Sequence, residues 1–419
     1  MLKKGILLFI IISCIQLTRA DHLLLPMDHS QSDHLKAYGL AFWILEHQVE
    51  VDWLLNYRGG SFMCKYAVAF EQELQIRGIT YEKISDGKAT DILAAVTSND
   101  SNTDAVKLEK APKVAVYSPK SKQPWDDAVT LALTYAEIPY EVVYDPEVLD
   151  GKLSDYDWLH LHHEDFTGQY GKFYQSYKNA AWYQDEVKNQ ENTAKIYGFT
   201  KVSKMKLAVA QGIKKFCVDG GFLFAMCSAT DTYEIALAAA NTDICEHMFD
   251  GDPMDPNAQS KLDFEQTLAF ENFEMVLNPF QYEFSNIDAN MGRRVPEHMD
   301  YFSLFEFSAK WDPVPSMLCQ NHTRTVKGFM GQTTGFRSSI IKKDVLIMGE
   351  LKAYGEARYI HGNMGKGMWT YYGGHDPEDY RHFVGEDPTD LALHPNSPGY
   401  RLILNNILFP AARKKKRKT

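Results

Sequence analysis

No stretch of this 419-residue chain is apolar for long enough to span a bilayer; the best candidate, Ile6 to Ile12, is too short for a membrane helix. A transmembrane segment in the mature chain is therefore not expected. Nucleotide-gripping loops are missing too. There is no Walker motif and no dinucleotide fingerprint, and the glycine-rich stretch Gly328-Phe-Met-Gly331-Gln-Thr-Thr-Gly335 has no P-loop lysine. Positive charge is in deficit: 44 Lys and Arg face 55 Asp and Glu, and the formal net charge of -11 argues against a nucleic-acid partner. The histidines at the end of the strand near residue 160 match no compact zinc signature, such as two histidines one helical turn apart on a helix. Asp250-Gly-Asp-Pro-Met-Asp255 begins like a calcium loop but lacks the later glycine and closing glutamate, so it reads as a turn. These absences predict a protein that acts on a small molecule with neither cofactor nor metal.

Cysteine is scarce, six in all, and its distribution bears on compartment. Lys3 and Lys4 precede the short apolar run, and Thr18-Arg19-Ala20 places small residues where a signal peptidase reads, so residues 1–20 read as a signal peptide. Export to the periplasm or cell envelope is expected. Ile11-Ile12-Ser13-Cys14 resembles a lipobox, which offers lipidation at Cys14 as an alternative. The remaining Cys64, Cys217, Cys227, Cys245 and Cys319 are odd in number; in an oxidising compartment two disulfides could form and leave one thiol free. The tail, residues 413–419, is basic, and reads as a solvated end or a segment that touches anionic lipid or envelope polymer.

What the chain does have is rhythm. With 45% hydrophobic residues it can bury a large core. Residues 21–110 predict an N-terminal α/β unit: strands at 22–26, 49–55 and 79–84, helices at 30–47 and 64–75, and a polar boundary from 97 to 111. Residues 111–412 predict a second domain with strands at 114–117, 140–144, 158–162, 221–226, 345–351, 357–361 and 366–372, and helices that include 125–136 and 400–408. That alternation predicts a doubly wound, mostly parallel sheet. Residues 243–343, rich in Met, Phe, Asp and Pro, break the rhythm and read as an insertion that could roof a site at the carboxyl ends of the strands.

The residues with chemical promise fall at those carboxyl ends. Gly220 to Asp231 run from an apolar strand into Cys227, with Ala225 and Ala229 two positions away on either side and a helix following at once. A nucleophile elbow needs such small neighbours, because the chain turns too sharply for larger ones. A helix N-terminus would favour a thiolate there; a buried structural cysteine is the alternative. His375, after Gly373-Gly374, could serve as base, with Glu378 or Asp376 fixing its tautomer. His160, His162, His163, Glu164 and Asp165 crowd the end of another strand. Of these, His162, His163, Glu164 and Asp165, together with Ser228, are expected to contact substrate; a metal site on His162, His163 and Glu164 is the competing reading.

From about Lys113 to Pro410 the chain resembles the class I glutamine amidotransferase-like superfamily, nearest its ThuA-like branch of trehalose utilisation, whose last strand also leads into a Gly-His turn, here Met368-Trp-Thr-Tyr-Tyr-Gly-Gly-His375-Asp376. The resemblance implies a flavodoxin-like fold with Cys227 as nucleophile, His375 as base and Glu378 as its orienter. The family pattern has glycines around the elbow and His-Pro-Glu; this chain has alanines and His-Asp-Pro-Glu, so the resemblance carries the fold better than it carries glutamine as substrate. The whole chain is also similar to exported bacterial proteins often named asparagine synthetase B. The synthetase itself is marked by a cysteine directly after the initiator methionine and a Ser-Gly-Gly-x-Asp-Ser loop, and neither is present. The function expected is thiol-dependent hydrolysis or transfer on a small amide, peptide-like or sugar-linked substrate, against a non-catalytic envelope binding protein for carbohydrate or peptide, or a metal-dependent hydrolase.

Overall fold

The computed structural model describes residues 21–121, 123–381 and 383–412. The expected signal peptide with Cys14, and the basic tail, lie outside them. Residues 22–108 supply one sheet and residues 114–372 the other. The first comprises β1 (His22–Leu25), β2 (Val51–Leu55), β3 (Ser61–Lys65), β4 (Glu82–Ile84) and β5 (Asp104–Leu108), in the order β4-β1-β3-β2-β5. Every pairing in it is antiparallel. This differs from the sequence reading because Cys64 lies in a strand, not a helix: Phe62 and Cys64 face one layer of the core and Met63 the other. A short strand buried on both faces carries no alternation to distinguish it from a helix.

The second sheet is mixed. Its strands are β6 (Val114–Tyr117), β7 (Glu141–Val143), β8 (Trp158–Leu161), β9 (Phe222–Met226), β10 (Tyr301–Leu304), β11 (Thr325–Lys327), β12 (Phe336–Arg337), β13 (Leu346–Leu351), β14 (Glu356–Met364) and β15 (Gly367–Tyr372). The order is β11-β10-β13-β14-β15-β9-β8-β6-β7, with β12 added against β14. β7, β6, β8, β9 and β15 are mutually parallel. Beyond β15 all pairings are antiparallel; for β14 and β15 the brief connection from Met364 to Gly367, too short for a crossover, requires it. Residues 243–343 therefore do more than roof the sheet: they lengthen it with β10 and β11.

Alternate residues of the central strands face opposite layers, as the period of two dictates. Val114, Val116, Trp158, Phe222 and Phe224 face helices His34–Glu46, Ala128–Ala136 and Pro398–Leu408; Ala115, Leu159, Leu161, Leu223 and Ala225 face helices Val202–Asp219 and Ala229–Ala238. The first set of helices also covers Leu23, Leu25, Trp53 and Phe62, so one helical layer joins the two sheets into a common core. That layer is close-packed at Gly39, where an added Cβ would stand 1.7 Å from the Ala136 carbonyl oxygen. Neither backbone can yield cheaply. Gly39→Ala, which in an isolated helix would help, is expected to lower unfolding free energy by about 3 kcal/mol or more, read as a drop in the urea midpoint.

Candidate functional site

At the end of β9 the chain passes through Met226 and Cys227 into the helix Ala229–Ala238. Cys227 sits at φ 51°, the left-handed region, where a residue with a Cβ costs roughly 1–2 kcal/mol. Ala225 and Ala229 are wholly buried on either side of it. The sequence pattern is thus realised as a true reversal. Its backbone is fixed to both neighbouring strand ends: the Cys227 N–H donates to the Gly374 carbonyl (3.0 Å), and the Ala229 N–H to the His162 carbonyl (2.9 Å). The Ser228 hydroxyl donates to the His163 carbonyl (3.0 Å), and that of Thr232 to the Glu164 carbonyl (2.8 Å).

These contacts gather three remote segments at one carboxyl edge. His375 follows β15, the parallel neighbour of β9, one residue after Gly374 (φ 103°). Its ring lies 4.7 Å from that of His162 and 4.6 Å from that of His163, centroid to centroid, while His162 and His163 stack at 4.0 Å. Residues 328–335 of the insertion cover the turn: the Gly374 N–H donates to the Thr333 carbonyl (2.7 Å), and a Cβ on Gly331 would come within 2.8 Å of the His375 Cβ. The glycines of that stretch serve close packing. Under this cover Cys227 and His375 are each 3% exposed.

The other expected site residues divide. Glu164 reaches the edge, but its Oε2 folds back to accept from the His162 N–H (2.9 Å). Asp165, expected to contact substrate, has a carboxylate that accepts from the Thr167 and Gly171 N–H groups (2.7 and 2.9 Å) and so organises its own loop. Glu378 pairs with His394 (3.4 Å), while Asp376, wholly buried, accepts from the Tyr400 hydroxyl (2.7 Å) and from the Glu378 N–H (2.8 Å). The segment resembling a calcium loop already has a cation, since the Lys201 ammonium lies 2.7 Å from Asp243 and 3.0 Å from Asp250. All five described cysteines are free thiols.

Asp127 was missed by the sequence reading, which began the helix at Trp125. It is the N-cap of Ala128–Ala136, accepting from the Val129 and Thr130 N–H groups (2.7 and 3.0 Å). The same carboxylate lies 3.1 Å from His160 Nε2 and 3.1 Å from His162 Nδ1. The second contact brings the His162 ring against the carboxylate that caps the helix, while His162 Nε2 has no hydrogen-bond partner. An Asp directly before a helical run is a recognisable cap signal; nothing local could have linked it to histidines on β8.

Burial dominates the site's electrostatics. The Cys227 thiol is pushed up to about 12 by burial, with Asp288 and Glu164 adding to the rise and the Ser228 N–H and hydroxyl opposing it. The resting thiol is protonated. Burial alone would depress His162, but Asp127, Glu164 and Asp126 outweigh it and raise its pKa; at His160 burial prevails and lowers it. Burial also lifts Glu164, Asp231, Glu234 and Asp288 to about 7. Acids raised in the folded state bind protons that the unfolded chain has already released, so their stabilisation is lost as pH climbs through the folded pKa. From these groups thermal stability is expected to fall as pH climbs from about 4.5 to about 7 and to level off above that, and a melting temperature that rises over this interval would contradict it.

Fold and site together define an α/β protein with a mixed sheet whose conspicuous chemistry lies at a strand-to-helix elbow. No family model matches the chain, and no curated protein does. Among the solved structures that align with it are Cytoplasmic Protein STM3548 from Salmonella typhimurium (12% identity, TM-score 0.36) and Cytoplasmic Protein STM1381 from Salmonella typhimurium LT2 (11% identity, TM-score 0.36). Each alignment covers 72% of this chain and 100% of the other. No helix among the described residues is long and apolar enough to cross a membrane.

Proposed function

We propose that this chain is an exported, amidotransferase-like hydrolase or transferase that attacks a small amide, peptide-like or sugar-linked carbonyl with Cys227. The observation that carries the reading is the left-handed Cys227 at the elbow, its N–H fastened to the carbonyl just before His375. Strain of this kind persists where surrounding structure enforces it, and it gathers at functional sites. Architecture supports the same view. Numbered by their sequence, the five parallel strands run 2-1-3-4-5 with helices on both faces, an order that supports a flavodoxin-like reading, and in folds of that kind ligands bind beyond the carboxyl ends.

A thiol near 12 does not act as a preformed thiolate. In this mechanism sulfur attacks the carbonyl carbon as its proton passes to His375, and the imidazolium then returns that proton to the departing amine. Ser228 N–H, the first amide after the nucleophile, is placed to steady the developing oxyanion. Because both groups are 3% exposed, substrate entry requires residues 328–335 to move aside. Incubation with small amides and electrophilic analogues should add one acyl group per chain, mapped to Cys227 by peptide mass spectrometry. Labelling confined to other cysteines, or equal labelling of Cys227→Ala, would remove the thiol from the account.

A further inference from the structure

His162, His163 and His375 each present one ring nitrogen within a cluster no wider than 4.8 Å. Imidazoles facing one another gain little from that contact alone. The His162 side chain is wholly buried, and its Nε2 has no hydrogen-bond partner, an arrangement that costs roughly 1–3 kcal/mol when nothing satisfies the lone pair. A cation accepting that lone pair removes the cost.

The surroundings are those that metal-bound histidines require. A ligating imidazole usually turns its other nitrogen toward a carboxylate or a backbone carbonyl, which sets ring orientation and tautomer. His162 directs Nδ1 toward Asp127 Oδ1 at 3.1 Å. The Nε2 of His163 lies 2.7 Å from the Asp126 carbonyl, so both supports come from consecutive residues of a single loop, immediately before a helix whose N-cap is Asp127.

We propose that these three imidazoles form a binding site for a divalent transition ion of the zinc class. Nitrogen ligands of intermediate softness suit zinc, cobalt and nickel rather than magnesium or calcium, and three protein ligands leave a coordination position for water or substrate. Spacing rules overlook the site because His375 arrives from a distant strand. The proposal does not depend on thiol chemistry at Cys227. It does bear on it, since an ion that holds His375 withdraws the base from the thiol; the loaded and the thiol-active states are alternative uses of one edge.

The test uses the untagged full chain, stripped with chelator and then titrated with zinc by calorimetry and with cobalt by visible absorption. One ion per chain is expected. His162→Ala should weaken zinc binding at least about a hundredfold, and Asp127→Asn, which spares all three ligands, about tenfold or more, with circular dichroism confirming that each variant is folded. Cys227→Ala should bind as the parent does. Absence of saturable zinc binding, or undiminished binding by folded His162→Ala and His163→Ala, would overturn the proposal, as would loss of binding in Cys227→Ala. Amide hydrolysis that survives Cys227→Ala and follows zinc loading would end the thiol reading while upholding the site.

Discussion

Turnover of any amide substrate is expected to fall at least about a thousandfold in Cys227→Ser and Cys227→Ala, because removal of a nucleophile leaves only binding and oxyanion stabilisation. The serine variant is the stricter test. It keeps the elbow, the Ser228 amide and a hydroxyl in place of the thiol, so lost activity cannot be assigned to a collapsed turn. Cys227→Gly separates chemistry from architecture. Glycine adopts φ 51° without the Cβ clash, so this variant should unfold at or above the parent's urea midpoint and yet be inactive. A stable, inactive glycine variant would mean that the strain is held for function. Full activity in the alanine variant would leave the elbow as architecture alone.

The parts of this fold that could be read in sequence are those where one local signal decides the outcome. The apolar strands at 114–117, 158–161, 222–226 and 367–372 are bounded by clear turns, and the small residues around Cys227 announce a sharp reversal. The antiparallel half of the second sheet was less accessible. β10 and β11 emerge from a segment rich in Phe, Met, Asp and Pro; they pair with each other, and β10 joins the sheet through β13, which follows it in the chain, so their membership is decided by long-range pairing rather than by local pattern. The site shows the same division. Cys227, His162, His163 and His375 stand out by residue type. Their convergence depends on β8, β9 and β15 lying side by side in parallel, and the supporting Asp126 and Asp127 come from a fourth position, the loop after β6. A carboxylate that serves at once as helix cap and imidazole partner has no signature beyond the cap. The loop role of Asp165 was equally hidden: its neighbours in sequence are histidines at the edge, and its bonds to the Thr167 and Gly171 amides depend on how the following loop closes.

Loss of the Lys206 ammonium is expected to be the most damaging single change to stability outside the site. Lys206, on the inner face of helix Val202–Asp219, is wholly buried, and its Nζ lies 3.0 and 2.9 Å from the two oxygens of Asp145, itself 1% exposed. The Tyr117 hydroxyl donates to the same carboxylate, and the ammonium stands 4.6 Å from the Tyr144 ring centroid. Lys206→Ala strands a carboxylate where water cannot reach it, at a cost of about 3–5 kcal/mol. Charge and volume can be told apart. Lys206→Met fills the space and should cost nearly as much, whereas Lys206→Met combined with Asp145→Asn removes both charges and should recover most of the loss, because an intact buried pair adds little net stability over a neutral pair of similar volume. Urea midpoints for the parent and these three variants decide the matter; single variants as stable as the parent would show that the pair is solvated or dispensable. The consequence extends to the candidate site, because Tyr117 ends β6 and the chain then leads into the loop bearing Asp126 and Asp127. Loosening that strand end frees the residues that orient His162 and His163, so Lys206→Ala should weaken zinc binding even at temperatures where the chain remains folded, and the double variant should restore it.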